Sequence, residues 1–426
     1  MNETLEKFGA YLTDGIEKHP VAVRRTLAAV WSALSFQTTH FPSKNHLPSR
    51  EYLQGYTAKL LADMLRNSSH AAVVNIFMPC EIFHALDIPT MAPEALAVYI
   101  VNTAAERGFI DYTEAAGTPD TLCSFHKLLL GAAQTGVSTK PLLVANTTLA
   151  CDANQLTFRE LSEHWQVPHF ILDVPYRVDE EAVHYLAGQL KKMASGIEDA
   201  AHKKLSMDRL KECVARSQKT IENYSKYMDH RAKYHLPEAM TPELLACISN
   251  HIYMGNEAAL KYSRLLLRDL KNAPAQTDRK KLLWMHVLPN WQESMKEIFQ
   301  GDAHVEVLGC DLAYDALIPM DPEKPFESMA RRIVYDSYNG PGSRRIEATL
   351  DRARSMEADG IVIFCQWGCK QTQGIAFRAK KIFEENGFPT LVIDGDGGDR
   401  ANGGGGQIVT RASAFIELLE QGGASC

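Results

Sequence analysis

The chain is 426 residues long, with 45 basic against 52 acidic side chains, a formal net charge of −7 and 45% hydrophobic residues. Such a composition supports two or more core-bearing units and excludes an intrinsically disordered chain. An acidic balance without long runs of like charge lacks the attraction that nucleic acid demands, so no nucleic-acid partner is expected. The nine cysteines are too few for a disulfide scaffold, and being odd in number they cannot all pair with one another.

The N-terminus, MNETLEKFGAYLTDGIEKHP, is charged from its start and lacks the basic-then-apolar pattern of a secretory signal. The longest apolar runs, such as PLLVAN at 141–146 and IVIF at 361–364, fall far short of the roughly 20 residues a membrane helix needs. A cytoplasmic chain with no membrane span is expected. There the cysteines stay reduced, as core filler, metal ligands or nucleophiles.

Residues 1–65 have helical period in LEKFGAYLTDGI, AVRRTLAAVWSAL and EYLQGYTAKLLADML, with a proline-rich break at 41–50, and predict a helical N-terminal segment. Over 66–205 the texture changes: AAVVNIFMP (71–79), PLLVANTT (141–148) and HFILDVPY (169–176) are short β-branched runs separated by helical stretches such as FRELSEHW. That alternation predicts an α/β domain with a parallel sheet covered on both faces. From DEEAVHYLAGQL onward the chain is nearly all helix, and 206–280 predicts a helical connecting segment. A second α/β domain spans 281–426, with strands in KLLWMHVLP (281–289), HVEVLGC (304–310), DGIVIFCQW (359–367) and PTLVIDGDG (389–397).

In an open parallel sheet, ligands bind beyond the carboxyl ends of the strands, where helix N-termini also point. The cysteines concentrate there: Cys80 follows the first strand, Cys151 the PLLVANTT strand, Cys310 ends HVEVLGC, and Cys365 and Cys369 end DGIVIF. Cys123 lies in TPDTLCSFHKLLLGA, where Pro119 or Thr121 would start a helix and put the thiol in its first turn. Helix N-terminal amides lower a thiol's pKa and suit an anionic cluster. Free cysteine is also a common core residue, and for Cys123, Cys151 and Cys369 the residues alone leave ligand and packing readings open. Cys213 and Cys247, on helical stretches, read as packing, and Cys426 as without a role. No CxxC pair exists, so any cluster must be assembled from distant parts of the chain. His84 and His126 read as packed or capping. The DGDGGDRANGGGGQ stretch (394–407) lacks GK[ST] and reads as a mobile, turn-rich loop rather than a phosphate site. Glu81 and Glu94 flank an apolar helix start; each alone suits capping, although burial there would raise a carboxyl pKa toward proton transfer.

In order along the chain, MPCEIFHALDIPTMAPE, LCSFHKLLLGA, NTTLACDANQ with HFILDVPY, WGCKQTQG, and LVIDGDGGDR with GQIVTRASAFIELL resemble the 2-hydroxyacyl-CoA dehydratase and benzoyl-CoA reductase family, in an iron–sulfur subunit of the 2-hydroxyglutaryl-CoA dehydratase D-component type. The resemblance covers roughly 70–420. It implies two flavodoxin-like domains, a 4Fe-4S cluster on three cysteines, a dimer with a homologous second subunit or with itself, and an ATP-hydrolysing iron–sulfur activator that delivers one electron. The activity it implies is that of a lyase removing water from a 2-hydroxyacyl-CoA through a ketyl radical, with reduction or electron relay as alternatives. Carried over by motif, Cys123, Cys151 and Cys369 match the cluster ligands, and Glu94 the proton-transferring glutamate. Cys80, Cys310 and Cys365 are further thiols that would suit a double-cubane 8Fe-9S cluster. Where a dehydratase subunit that binds substrate is expected to carry a serine, this chain has Val74-Asn75-Ile76, without a hydroxyl.

Overall fold

The computed structural model describes residues 3–289, 291–301, 304–315 and 317–422. Cys426 lies outside the described residues. Short β-branched runs become strands, buried on both faces except for β4 and parts of β5 and β8: β1 (Ala72–Val74), β2 (Thr90–Met91), β3 (Leu143–Thr147), β4 (His169–Leu172), β5 (Lys280–Met285), β6 (Val305–Cys310), β7 (Gly360–Gln366) and β8 (Thr390–Gly395). They form two four-stranded sheets, ordered β2-β1-β3-β4 and β6-β5-β7-β8, and every adjacent pair is parallel. Two α/β units of flavodoxin-like character are therefore present, as the alternating pattern and the resemblance both imply. The relative strand order is the same in the two sheets. In each, the chain changes its direction of travel between the first and third strands, β1/β3 and β5/β7, and an open sheet offers its ligand crevice at the carboxyl side of such a switch.

Two-residue periodicity decides which core each side chain enters. Ala72, Val74, Leu143 and Ala145 face a large core continuous with that of the second sheet, whereas Val73 and Val144 face a smaller core built against the N-terminal helices. Those helices are Glu3–Lys18, Pro20–His40 and Pro48–Arg66, the latter two each begun by a proline at the first helical position, where the missing N–H costs nothing. Four long helices follow β4: Glu180–Ala201, Met207–Arg231, Met240–Ile252 and Glu257–Asn272. Asp179, Ser206 and Asn256 cap three of them with side-chain acceptors. Among the described residues no helix is long and apolar enough to cross a membrane.

β2 was not expected. The residues between Glu81 and Glu94 read as an apolar helix start, but Pro89 and Pro93 bracket a two-residue strand that pairs Thr90 with Ala72 on the edge of the first sheet. The short helix before it, Glu81–Ala85, carries a second surprise. Glu81 is not a surface or capping residue: it is fully buried and receives both guanidinium nitrogens of Arg332, at 2.7 and 3.1 Å, and the Ser217 hydroxyl at 2.7 Å. This ion pair joins the first α/β unit to the Met207–Arg231 helix and to the Pro325–Val334 helix of the second. Removing one partner strands a buried charge. Arg332→Met should cost about 3–5 kcal/mol in chemical denaturation, and Glu81→Leu in the same chain should recover most of it.

Candidate active-site cavity

Three cysteines occupy one kind of position. Cys123, Cys151 and Cys369 are the N-cap residues of the helices Ser124–Gln134, Asp152–Trp165 and Lys370–Glu385. Cys123 thus sits one residue before its helix rather than within the first turn. Cys151 and Cys369 are equivalent in the two units: each follows the third strand of its sheet, and each is preceded by a left-handed residue, Ala150 (φ 61°) or Gly368 (φ 76°), that turns the chain from strand into helix. All three open onto one cavity of about 740 Å³ at the carboxyl side of both sheets, together with Glu94, His126 and His286. Three helix N-termini therefore face the same space, an arrangement that favours an anionic occupant.

The two units meet very closely here. A Cβ at Gly368 would lie 2.6 Å from the Cys123 backbone nitrogen and 2.8 Å from the Thr121 carbonyl oxygen, so the Cys369 turn can rest on the start of the Cys123 helix only as glycine. The loop after β8 secures the contact. Ser124 Oγ donates to Asp396 Oδ1 at 2.5 Å, and the same oxygen accepts from Gln366 Nε2 at 2.7 Å and the Gly398 amide at 2.8 Å. Asp399 accepts from Arg107 at 2.8 Å, and Arg400 donates to Glu106 at 2.7 and 2.8 Å. Residues 396–400 are thus a hydrogen-bonded strap across the units, which corrects the expectation of a mobile loop. It follows from the buried Asp396 and Asp399, which need partners.

Burial dominates the electrostatics. It raises the Cys123 thiol well above its ordinary range and Cys151 to about 12, even though backbone amides at their helix starts pull the other way. The expectation of low-pKa thiols is therefore corrected: without a cation or cluster these groups stay protonated, and a bound metal centre would be what deprotonates them. The Nε2 atom of His126 lies 3.3 Å from Cys151 Sγ, and that of His286 lies 3.5 Å from Cys369 Sγ. Burial pushes His126 down to about 4 and His286 well below its ordinary value, so both rings are neutral, and each leaves a buried Nδ1 without a partner. His126 is buried, as a packed residue would be, and its ring also meets the Cys151 thiol. His286 also takes a left-handed backbone (φ 80°), its amide donating to Asp311 Oδ1 at 2.6 Å. Glu94, in the first turn of the Pro93–Val101 helix, is pushed by burial up to about 7, and its Oε2 has no hydrogen-bond partner.

The remaining candidates lie elsewhere. Cys80, Cys310 and Cys365 are buried and do not line the cavity; the Cys80 thiol donates to the Met78 carbonyl at 3.3 Å and Cys310 to that of His286 at 2.9 Å. Cys213 is packed, and His84 Nε2 faces the Ile252 carbonyl at 3.0 Å. Cys247, read as packing, is buried but does line the cavity wall, its thiol beside that of Cys310. His286 escaped sequence reasoning, although a histidine ending the KLLWMH strand at a switch point was the available signal. At Val74-Asn75-Ile76, Asn75 links the ends of β1 and β3, its Oδ1 accepting from the Thr147 amide at 3.0 Å, and Ile76 and Phe77 face the cavity.

Among the described residues, no group of three or more His, Cys, Asp or Glu side chains is placed to hold a single metal ion. The three thiols instead surround a volume, and their donor chemistry fits a polynuclear iron–sulfur centre, which thiolates hold at several separate irons.

The family described as 2-hydroxyglutaryl-CoA dehydratase, D-component, matches residues 75–419. The chain is 21% identical over 369 residues to the (R)-phenyllactyl-CoA dehydratase alpha subunit of Clostridium sporogenes, covering 80% of this chain and 87% of that protein. It is 22% identical over 393 residues to the lactoyl-CoA dehydratase subunit alpha of Anaerotignum propionicum, covering 80% of this chain and 89% of that one.

Between pH 4.5 and about 7 the folded protein keeps a proton on Glu94 that the unfolded chain has lost, so this residue subtracts stability as pH rises through that window. In the metal-free protein, Glu94→Gln should therefore match wild type at pH 4 and exceed it at pH 8 by on the order of 1–3 kcal/mol in denaturant titrations.

Proposed function

Since the chain belongs to the 2-hydroxyglutaryl-CoA dehydratase D-component family, we propose that it is the iron–sulfur subunit of a dehydratase that removes water from a 2-hydroxyacyl-CoA. The observation that carries this reading is the convergence of Cys123, Cys151 and Cys369 on one cavity that also holds Glu94. Held by these three thiolates, a 4Fe-4S cluster would keep one iron free of protein ligands and supply both a Lewis acid and a single electron.

The chain's own residues then have separable tasks. The helix starts behind the three cysteines lower the cost of gathering negative charge in a closed space. His126 and His286, neutral and facing Cys151 and Cys369, donate N–H to thiolate sulfur and fix the orientation of those side chains. Glu94 is the group that takes the proton from C3: a carboxyl titrating near 7 is ionised often enough to accept a proton and binds it strongly enough to drive the transfer. The apolar wall from Ile76 and Phe77 keeps water from the reacting carbons. A homologous second subunit is part of the proposal, because both relatives are named as alpha subunits, and so is an ATP-hydrolysing activator that supplies the electron. A second reading, reduction of the thioester's acyl group, is favoured by the absence of a hydroxyl at Val74-Asn75-Ile76; product analysis of the activated complex separates the two.

Protein purified without oxygen should carry about four irons and four sulfides per chain. Alanine at Cys123, Cys151 or Cys369 should abolish that iron, whereas alanine at Cys80, Cys310 or Cys365 should leave it. Glu94→Gln should keep the iron and lose on the order of 10²- to 10⁴-fold in turnover. Iron that survives all three cysteine changes would overturn the assignment.

A further inference from the structure

We propose that the acyl group taken by this cavity is uncharged and apolar, and that a dicarboxylic thioester of the glutaryl kind is excluded. The inference rests on the proposed acyl-CoA function and adds the substrate class. Its basis is where charge stands on the cavity wall. The inner surface is aliphatic and aromatic: Ile76, Phe77, Leu130, Leu244 and Ile248 line it and are all buried. Among the described residues, the only lysine and arginine on the lining, Lys370 and Arg159, are exposed, as are the acids Asp152, Glu160 and Glu163. The charged residue set inward is Glu94, an acid.

A carboxylate at the far end of an acyl chain would therefore leave water for an apolar wall without a cation to receive it, and would approach Glu94. Burying an unpaired charge is among the largest penalties a site can impose, and a like charge nearby adds to it. His126 and His286 do not relieve it, since their Nε2 atoms already face the Cys151 and Cys369 thiols at 3.3 and 3.5 Å. Arg345 is the buried cation nearby in the fold, stacked 4.0 Å over the cavity-lining Tyr338. It does not line the cavity, and Asp311 at 2.7 Å and Thr372 at 2.9 Å engage its Nε and Nη1, leaving only Nη2 buried without a hydrogen-bond partner. An apolar acyl chain instead gains from covering this wall, and 740 Å³ is within the range that encloses a ligand of drug size.

The test is calorimetric binding of hexanoyl-CoA, glutaryl-CoA and free CoA, none of which carries a 2-hydroxyl to eliminate. It uses the full chain purified anaerobically with whatever subunit accompanies it. Hexanoyl-CoA should bind at least on the order of tenfold tighter than glutaryl-CoA, and glutaryl-CoA no tighter than CoA. Glutaryl-CoA binding equal to or tighter than hexanoyl-CoA would overturn the substrate class while leaving acyl-CoA binding intact. If none of the three binds, the acyl-CoA function itself falls, and this inference with it.

Discussion

The site depends on one close approach: the turn before Cys369, carried by the second sheet, lies against the backbone at Cys123, carried by the first. No side chain fits between them, which is why position 368 is glycine with a left-handed backbone. Everything else about the cavity follows from that contact. It sets the two switch-point crevices face to face, and it places two helix N-termini side by side with a third, behind Cys151, across the space. The Asp396 strap reinforces it, since the carboxylate reaches from the second unit to the hydroxyl beside Cys123 and is itself satisfied by the second unit's Gln366 and Gly398.

Two opposed effects act on the thiols there. Helix starts stabilise negative charge, yet at Cys123 and Cys151 burial costs more than those amides return, so these two free thiols hold their protons. The balance reverses only when a positive centre occupies the space, because then the buried thiolates, the helix termini and the two neutral imidazoles all act in its favour. Within the same space, burial raises Glu94 against the pull of a backbone amide and His251, and the want of an inward-facing Lys or Arg among the described lining residues is what makes the wall hostile to an acyl carboxylate.

Much of this was legible in the sequence. Strand and helix texture is local, and runs such as PLLVANTT and DGIVIFCQW declare themselves by composition; the placement of Cys151 and Cys369 at strand ends followed from the rule that helix starts face the crevice of a parallel sheet. Where the reading failed, the cause was nonlocal. β2 is two residues held by pairing with β1, below any periodic signal. Glu81 looked like a capping residue because its partner, Arg332, is far along the chain. The loop at 394–407 has the composition of a mobile turn, and what fixes it is distant in sequence, Ser124, Arg107 and Glu106 among them. The matching positions of Cys151 and Cys369 in the two units rest on the same strand order and the same left-handed residue, properties that leave no letter-by-letter repeat.

The account's central claim is spatial: a single iron–sulfur centre bound by Cys123, Cys151 and Cys369 together. Anomalous diffraction at the iron edge from crystals grown without oxygen tests it most directly. One compact iron peak within bonding distance of all three sulfur atoms is the result expected. Iron bound instead at Cys80, Cys310 or Cys365, or three free thiols around a cavity without iron in protein that contains it elsewhere, would contradict it.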